Sequence, residues 1–69
     1  MYVCKLCGFE TESIRDMVSH LKGWHGIKDG FRLLELYYEI SEKEYLKLEM
    51  KAQGDTRTLL RFLKEAERR

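Results

Sequence analysis

A small α+β protein stapled by one metal ion is the architecture this sequence predicts, and three observations predict it. Cys4, Cys7, His20 and His25 stand in the pattern C-x2-C-x12-H-x4-H, two sulfur and two imidazole ligands at a spacing that closes a tetrahedral zinc site. From Tyr45 to Gln53, the apolar Leu46, Leu48, Met50 and Ala52 alternate with polar neighbours, which is the period of a strand. Leu59, Phe62, Leu63 and Ala66 recur at three- and four-residue steps, the stripe of an amphipathic helix. At 69 residues the chain is one small domain, or two half-sized units sharing a core, and a core of this size usually needs a staple.

Four protein ligands fill a tetrahedron and leave no position for water or substrate, so the metal reads as structural. A redox dithiol wants a strand-helix-strand setting, yet only two residues of partial strand character separate Met1 from Cys4. A Cys4–Cys7 disulfide would leave His20 and His25 without a role. Zinc uses all four residues. No stretch approaches 18 apolar residues, and Met1-Tyr2-Val3-Cys4 lacks the features of a signal peptide, so a soluble, intracellular protein is expected. The 36% charged fraction, the absence of Asn and the single Gln53 lean toward a thermophilic source.

The elements of the first unit, residues 1–26, follow in order. Tyr2 and Val3 lead in as a strand, Cys4 to Gly8 makes a metal-binding turn, and Phe9 to Thr11 returns. Ser13 is expected to cap a helix, with Asp16 three residues on in a pair like a capping box. Met17, His20, Leu21 and Trp24 mark one helical face, and Gly26 suits the stop.

Tyr2-x-Cys4-x2-Cys7-x-Phe9-x7-Met17-x2-His20-x4-His25 resembles a C2H2 zinc finger of the ββα type over about the first 25 residues. Thr11 stands where such fingers usually carry an aromatic, with Phe9 expected to fill the core instead, and Met17 replaces the usual Leu. The resemblance implies a helix that enters the major groove and reads bases from the residue before the helix and from its third and sixth residues. Those positions are Ser13, Asp16 and Ser19, with Arg15 beside them. Only Arg15 suits the bidentate contact to guanine. Ser13 and Asp16 are equally explained as a cap and Ser19 as a small exposed residue. Lys5, Arg15 and Lys22 balance Glu10, Glu12 and Asp16, so this unit by itself offers few phosphate contacts.

In the second unit, residues 27–69, Tyr45 to Gln53 reads as a strand. Phe31 to Ile40 fits either a strand or a helix; the polar link Ser41-Glu42-Lys43-Glu44 favours a β-hairpin with the following strand. Gly54 ends that strand, Asp55 or Thr56 caps, and a terminal helix covers one face of the hairpin. The alternative order is strand-helix-helix, because Gly54 to Thr58 faintly resembles the turn in ribbon-helix-helix dimers.

Arg57, Arg61, Lys64 and Arg68 recur along the outer face of the terminal helix, forming a basic ridge that suits phosphates or is simply a solvated face. Net charge is only +1. Tyr37, Tyr38, Tyr45 and Trp24 exceed what so small a core easily buries, and an exposed hairpin edge with Tyr37 and Tyr45 could pair with a second copy or a partner chain. Two functional classes follow. One is a DNA-binding regulator of transcription that uses Ser13, Arg15, Asp16, Ser19, Lys22 and the ridge. The other is a protein-interaction adaptor built on the Tyr-rich hairpin, with zinc holding the scaffold. Catalysis is not expected: both histidines are consumed as ligands, no nucleophile is left beside a base, and no glycine loop cradles phosphate or a small substrate. No membrane partner is expected either.

Overall fold

Three residues near the start of the chain organise the rest. In the computed structural model, which describes residues 1–67, β1 (Tyr2–Cys4) is the middle strand of a three-stranded antiparallel sheet. On one side it pairs with β2 (Glu10–Thr11), with Tyr2 opposite Thr11 and Val3 opposite Glu10. On the other it pairs with β3 (Tyr37–Glu39), placing Val3 opposite Tyr38 and Cys4 opposite Tyr37. Successive strand residues face opposite ways, so β1 sends Tyr2 and Cys4 into one layer and Val3 into the other.

Two cores result. Cys4, Met17, Leu21 and Leu33 form the first, joining the sheet to α1 (Ile14–Trp24) and α2 (Gly30–Glu35). Val3, Tyr38, Tyr45, Ala52, Leu59 and Leu63 form the second, under α3 (Glu42–Ala52) and α4 (Thr56–Glu67). Helix α1 therefore covers one face of the sheet, and the α3–α4 pair covers the other. No helix among the described residues is long and apolar enough to cross a membrane.

The expected β-hairpin of the second unit is not formed. Tyr45–Gln53 lies in α3 and its C-cap, and Phe31–Ile40 divides into α2 and the short β3. The link Ser41-Glu42-Lys43-Glu44 is the cap and first turn of a helix: the Ser41 hydroxyl accepts from the Glu44 N–H at 3.3 Å. Glu42 and Glu44 lie at the positive end of the helix dipole and Lys51 at the negative end. The run lacks β-branched residues and is rich in Glu, Lys, Leu and Met, all good helix formers. Its buried side is Tyr45, Leu48 and Ala52, at helical spacing, while Leu46 and Met50 face out. The period-two alternation is thus a coincidence of composition, and the order from β3 onward is strand-helix-helix. Here the strand pairs with β1 of its own chain.

The helix boundaries have local causes. Ser13 accepts from the Asp16 N–H at 3.4 Å, while its own N–H goes to the Thr11 hydroxyl at 3.2 Å. Asp29 caps α2 by accepting from Phe31 N–H at 3.0 Å. Asp55 starts α4, taking the Arg57 N–H at 3.1 Å and the Thr58 hydroxyl at 2.8 Å. These bonds hold the Asp55 carboxyl below its usual range. On α4, Leu59 and Leu63 are buried and Phe62 and Ala66 half-buried, as the stripe requires.

Candidate metal centre

Each of the four ligating side chains is placed by a different local device. Cys4 closes β1 and is fully buried; its N–H donates to the Phe9 carbonyl at 2.7 Å and its carbonyl accepts from Gly8 N–H at 2.9 Å. That turn requires Gly8 at φ +84°, a left-handed conformation that costs other residues steric strain. The turn carries Cys7 at the surface, and the Leu6 N–H points at the Cys4 sulfur at 3.4 Å. His20 projects from the middle of α1, and His25 sits one residue past it as the C-cap. Gly26, at φ +66°, then turns the chain so that Ile27 N–H reaches the Leu21 carbonyl at 3.1 Å.

The four ligand atoms lie within 4.8 Å of one another. Cys7 Sγ is 3.2 Å from His20 Nε2, and Cys4 Sγ is 3.5 Å from His25 Nε2. Metal–sulfur and metal–nitrogen bonds of ordinary zinc length at tetrahedral angles would give a sulfur–nitrogen edge of about 3.6 Å. Those two sulfur–nitrogen edges are near that length, and the four residues could hold one ion between two thiolates and two imidazoles. Burial, with Cys7 nearby, pushes the Cys4 thiol up, while burial and the neighbouring His25 push His20 down. A neutral imidazole is the form a metal needs, whereas the thiols must give up protons that only a cation can replace favourably.

Two aromatic rings lie against the His20 imidazole. Phe9 stacks on His20 with ring centroids 4.2 Å apart and planes 20° from parallel, and Trp24 follows at 6.4 Å and 13°. Phe9 therefore does not fill the core as expected: it is 40% exposed and shields a ligand ring. Trp24, expected on the buried face with Met17 and Leu21, is 77% exposed. The tyrosines reverse in the other direction. Tyr45 is buried in the second core, Tyr38 is buried beside it, and half-buried Tyr37 packs edge-on against Tyr2 at 5.4 Å. The hairpin expected to carry an exposed Tyr-rich edge for partner or homodimer contact is not formed; β3, with Tyr37 and Tyr38, is instead an edge strand of the sheet.

The residues expected to meet nucleic acid divide between two helices. Arg15, Ser19 and Lys22 are exposed along α1, at spacings that put them on one face, with Asp16 also exposed and Ser13 spent on the cap. Arg57, Arg61 and Lys64 are exposed along α4; Arg68 and Arg69 lie outside the described residues. Because α1 and α4 cover opposite faces of the sheet, the two sets do not make one continuous surface. Two features had only a faint signal in the sequence. Leu33 backs Cys4 from α2, and Gly8 lies so close to Thr56 that a Cβ there would collide with the Thr56 methyl.

Comparison with known proteins gives no further guide: no family model, curated protein or solved structure matches this chain. Fold and site together define a small α+β protein with a Cys2His2 cluster that could hold one metal ion.

Proposed function

We propose that the metal is zinc in a purely structural role, within a ββα unit of the C2H2 zinc-finger kind, and that the protein binds DNA. Support for zinc comes from the tetrahedral mixed sulfur–nitrogen set with four protein ligands, which suits a d10 ion without geometric preference of its own. The observation that carries the nucleic-acid reading is the row of exposed cations Arg57, Arg61 and Lys64 on α4, together with exposed Arg15 and Lys22 on α1. Phosphate neutralisation supplies most nonspecific affinity, and an outward row on a rigid helix offers it without rearrangement. On this reading α4 holds the backbone and Arg15 is the one reader of guanine.

A second reading, the protein-interaction adaptor, is favoured by apolar side chains left outside: Trp24 is 77%, Phe31 84% and Leu34 65% exposed. Its surface would be α1–α2, in place of the hairpin.

The deciding experiment is binding of the zinc-loaded protein to random duplex DNA at about 50 and 200 mM salt. Affinity that falls steeply with salt supports the DNA reading. Arg61→Ala should then weaken binding to every sequence and flatten the slope by about one unit, and Arg15→Ala should relax preference at one base step. Absence of binding at the lower salt would sink it and favour the adaptor.

A further inference from the structure

A cleft of about 430 Å³ opens where the metal-binding turn meets the α3–α4 pair. Leu59 and Ala52 give it an apolar part, and Glu10 from β2, Glu49 from α3 and Asp55 from the turn before α4 line it as well. Among the described residues no Lys or Arg lines it. The Asp55 carboxylate is already engaged by Arg57 N–H and the Thr58 hydroxyl, which leaves Glu10 and Glu49 as the free acceptors.

Tyr45 gives an independent sign that something polar belongs there. This side chain is only 4% exposed and lines the cleft from the second core. Its hydroxyl has no hydrogen-bond partner among the described residues, yet no buried polar atom is left unsatisfied. The hydroxyl is therefore an uncommitted donor and acceptor on a side chain that lines the cleft.

We propose that this cleft is a binding pocket for a cationic side chain, an arginine presented by a basic segment of a partner protein. A guanidinium offers five donors in a plane, enough to meet two carboxylates and a phenol hydroxyl together. Leu59 supplies an apolar surface for the methylene stem of the arginine. Charge complementarity excludes phosphate, so the pocket is distinct from any nucleic-acid surface on α1 or α4. It is also separate from the metal, whose four ligands line no part of it.

Energetics agree. Burial and the facing Glu49 hold the Glu10 carboxyl above its usual range, so the empty cleft keeps two like charges in mutual repulsion. A bound cation would relieve that repulsion.

The test uses the full zinc-loaded chain and two probes, acetyl-Gly-Arg-Gly-amide and its uncharged citrulline counterpart, followed by amide chemical shifts. The expected result is saturable shifts clustered at Glu10, Glu49, Gly54 and Leu59 with the arginine peptide only. Affinity should fall about tenfold in Glu10→Gln and in Glu49→Gln, the loss of one charge-assisted bond. Glu12→Gln, which lies outside the cleft, should leave it unchanged. Both cleft variants should melt at or above the parent temperature, since each removes a repulsion, so a loss of binding cannot be a loss of fold. Equal shifts from the citrulline peptide, shifts scattered over the surface, no saturation, or full affinity in both cleft variants would each overturn the proposal.

Discussion

The N-terminal third and the remainder of the chain are specified by different physics. Residues 1–26 have little secondary structure of their own, two short strands and one helix, and their defining contacts are four side chains converging on one point. Among the described residues, 27–67 hold no such cluster. They fold because capped helices bury Tyr45, Ala52, Leu59 and Leu63 against the sheet. The difference teaches where the fold is vulnerable: the first region converges on one candidate metal centre, the second rests on distributed packing, and β1 ties them together. Cys4 belongs to the metal core and its neighbour Val3 to the other, so neither region's sheet is complete without the other.

The sharpest way to break the comparison is to remove the metal. A structural zinc site contributes on the order of 10 kcal/mol at neutral pH, as much as a whole small domain possesses. A chelator, or Cys4→Ser, should abolish the cooperative unfolding transition throughout. Helical circular dichroism of α3 and α4 should fall with that of α1, because the second core loses β1. Retention of native α3–α4 signals in the metal-free chain would show the two regions to be independent.

Core truncations come next. Met17→Ala and Leu63→Ala should each cost about 2–5 kcal/mol in denaturant unfolding of the metal-loaded protein, one on each side of the sheet. If β1 couples the layers, both variants should show one transition with an unchanged m-value. Separate transitions would divide the molecule at the sheet.

Gly8→Ala should cost about 1–3 kcal/mol, from its left-handed backbone and from the collision with Thr56. Thr56→Ser removes the colliding methyl. A double-mutant cycle therefore separates the two causes: partial recovery in the pair assigns that part of the loss to docking of α4 on the metal-binding turn. The smallest effects belong to the caps. Ser13→Ala and Ser41→Ala should each cost about 1 kcal/mol by thermal melting, the former with weaker metal retention because α1 carries His20.

Acid adds a pH axis to the same comparison. Asp55 has a folded pKa below its unfolded one, so its contribution is complete above the unfolded value and lost as pH falls through the folded value. Glu10 runs the opposite way: its raised folded pKa makes the ionised form a liability, and stability from this group rises as pH falls from above its folded pKa toward its unfolded one. A melting-temperature profile of Glu10→Gln should therefore gain most over the parent at neutral pH and converge with it in acid.

The clustering of Cys4, Cys7, His20 and His25 was legible in the sequence because coordination geometry demands particular residue types at particular separations. The helix with its Ser13 cap and the α4 stripe were legible for the same reason, a local rule satisfied by local residues. Residues 31–53 were not. Alternating Leu46, Leu48, Met50 and Ala52 satisfies a strand's period, and only the absence of Val, Ile and Thr, with Ser41 ahead of an acidic first turn, spoke for a helix. Tyr45 and Trp24 exchanged places for a tertiary reason. What Tyr45 packs against is set by β1, far earlier in the chain, and Trp24, the last residue of α1, meets the His20 ring instead of the core. No pattern within either segment records those facts.

Trp24 is the only tryptophan in the chain, and its ring lies nearly parallel to that of the ligand His20. A metal held by the Cys2His2 cluster would therefore lie one side chain away from an intrinsic optical probe. Cobalt bound there would absorb in the visible and drain the indole's emission, so occupancy could be read from fluorescence without a label, in dilute solution and in real time.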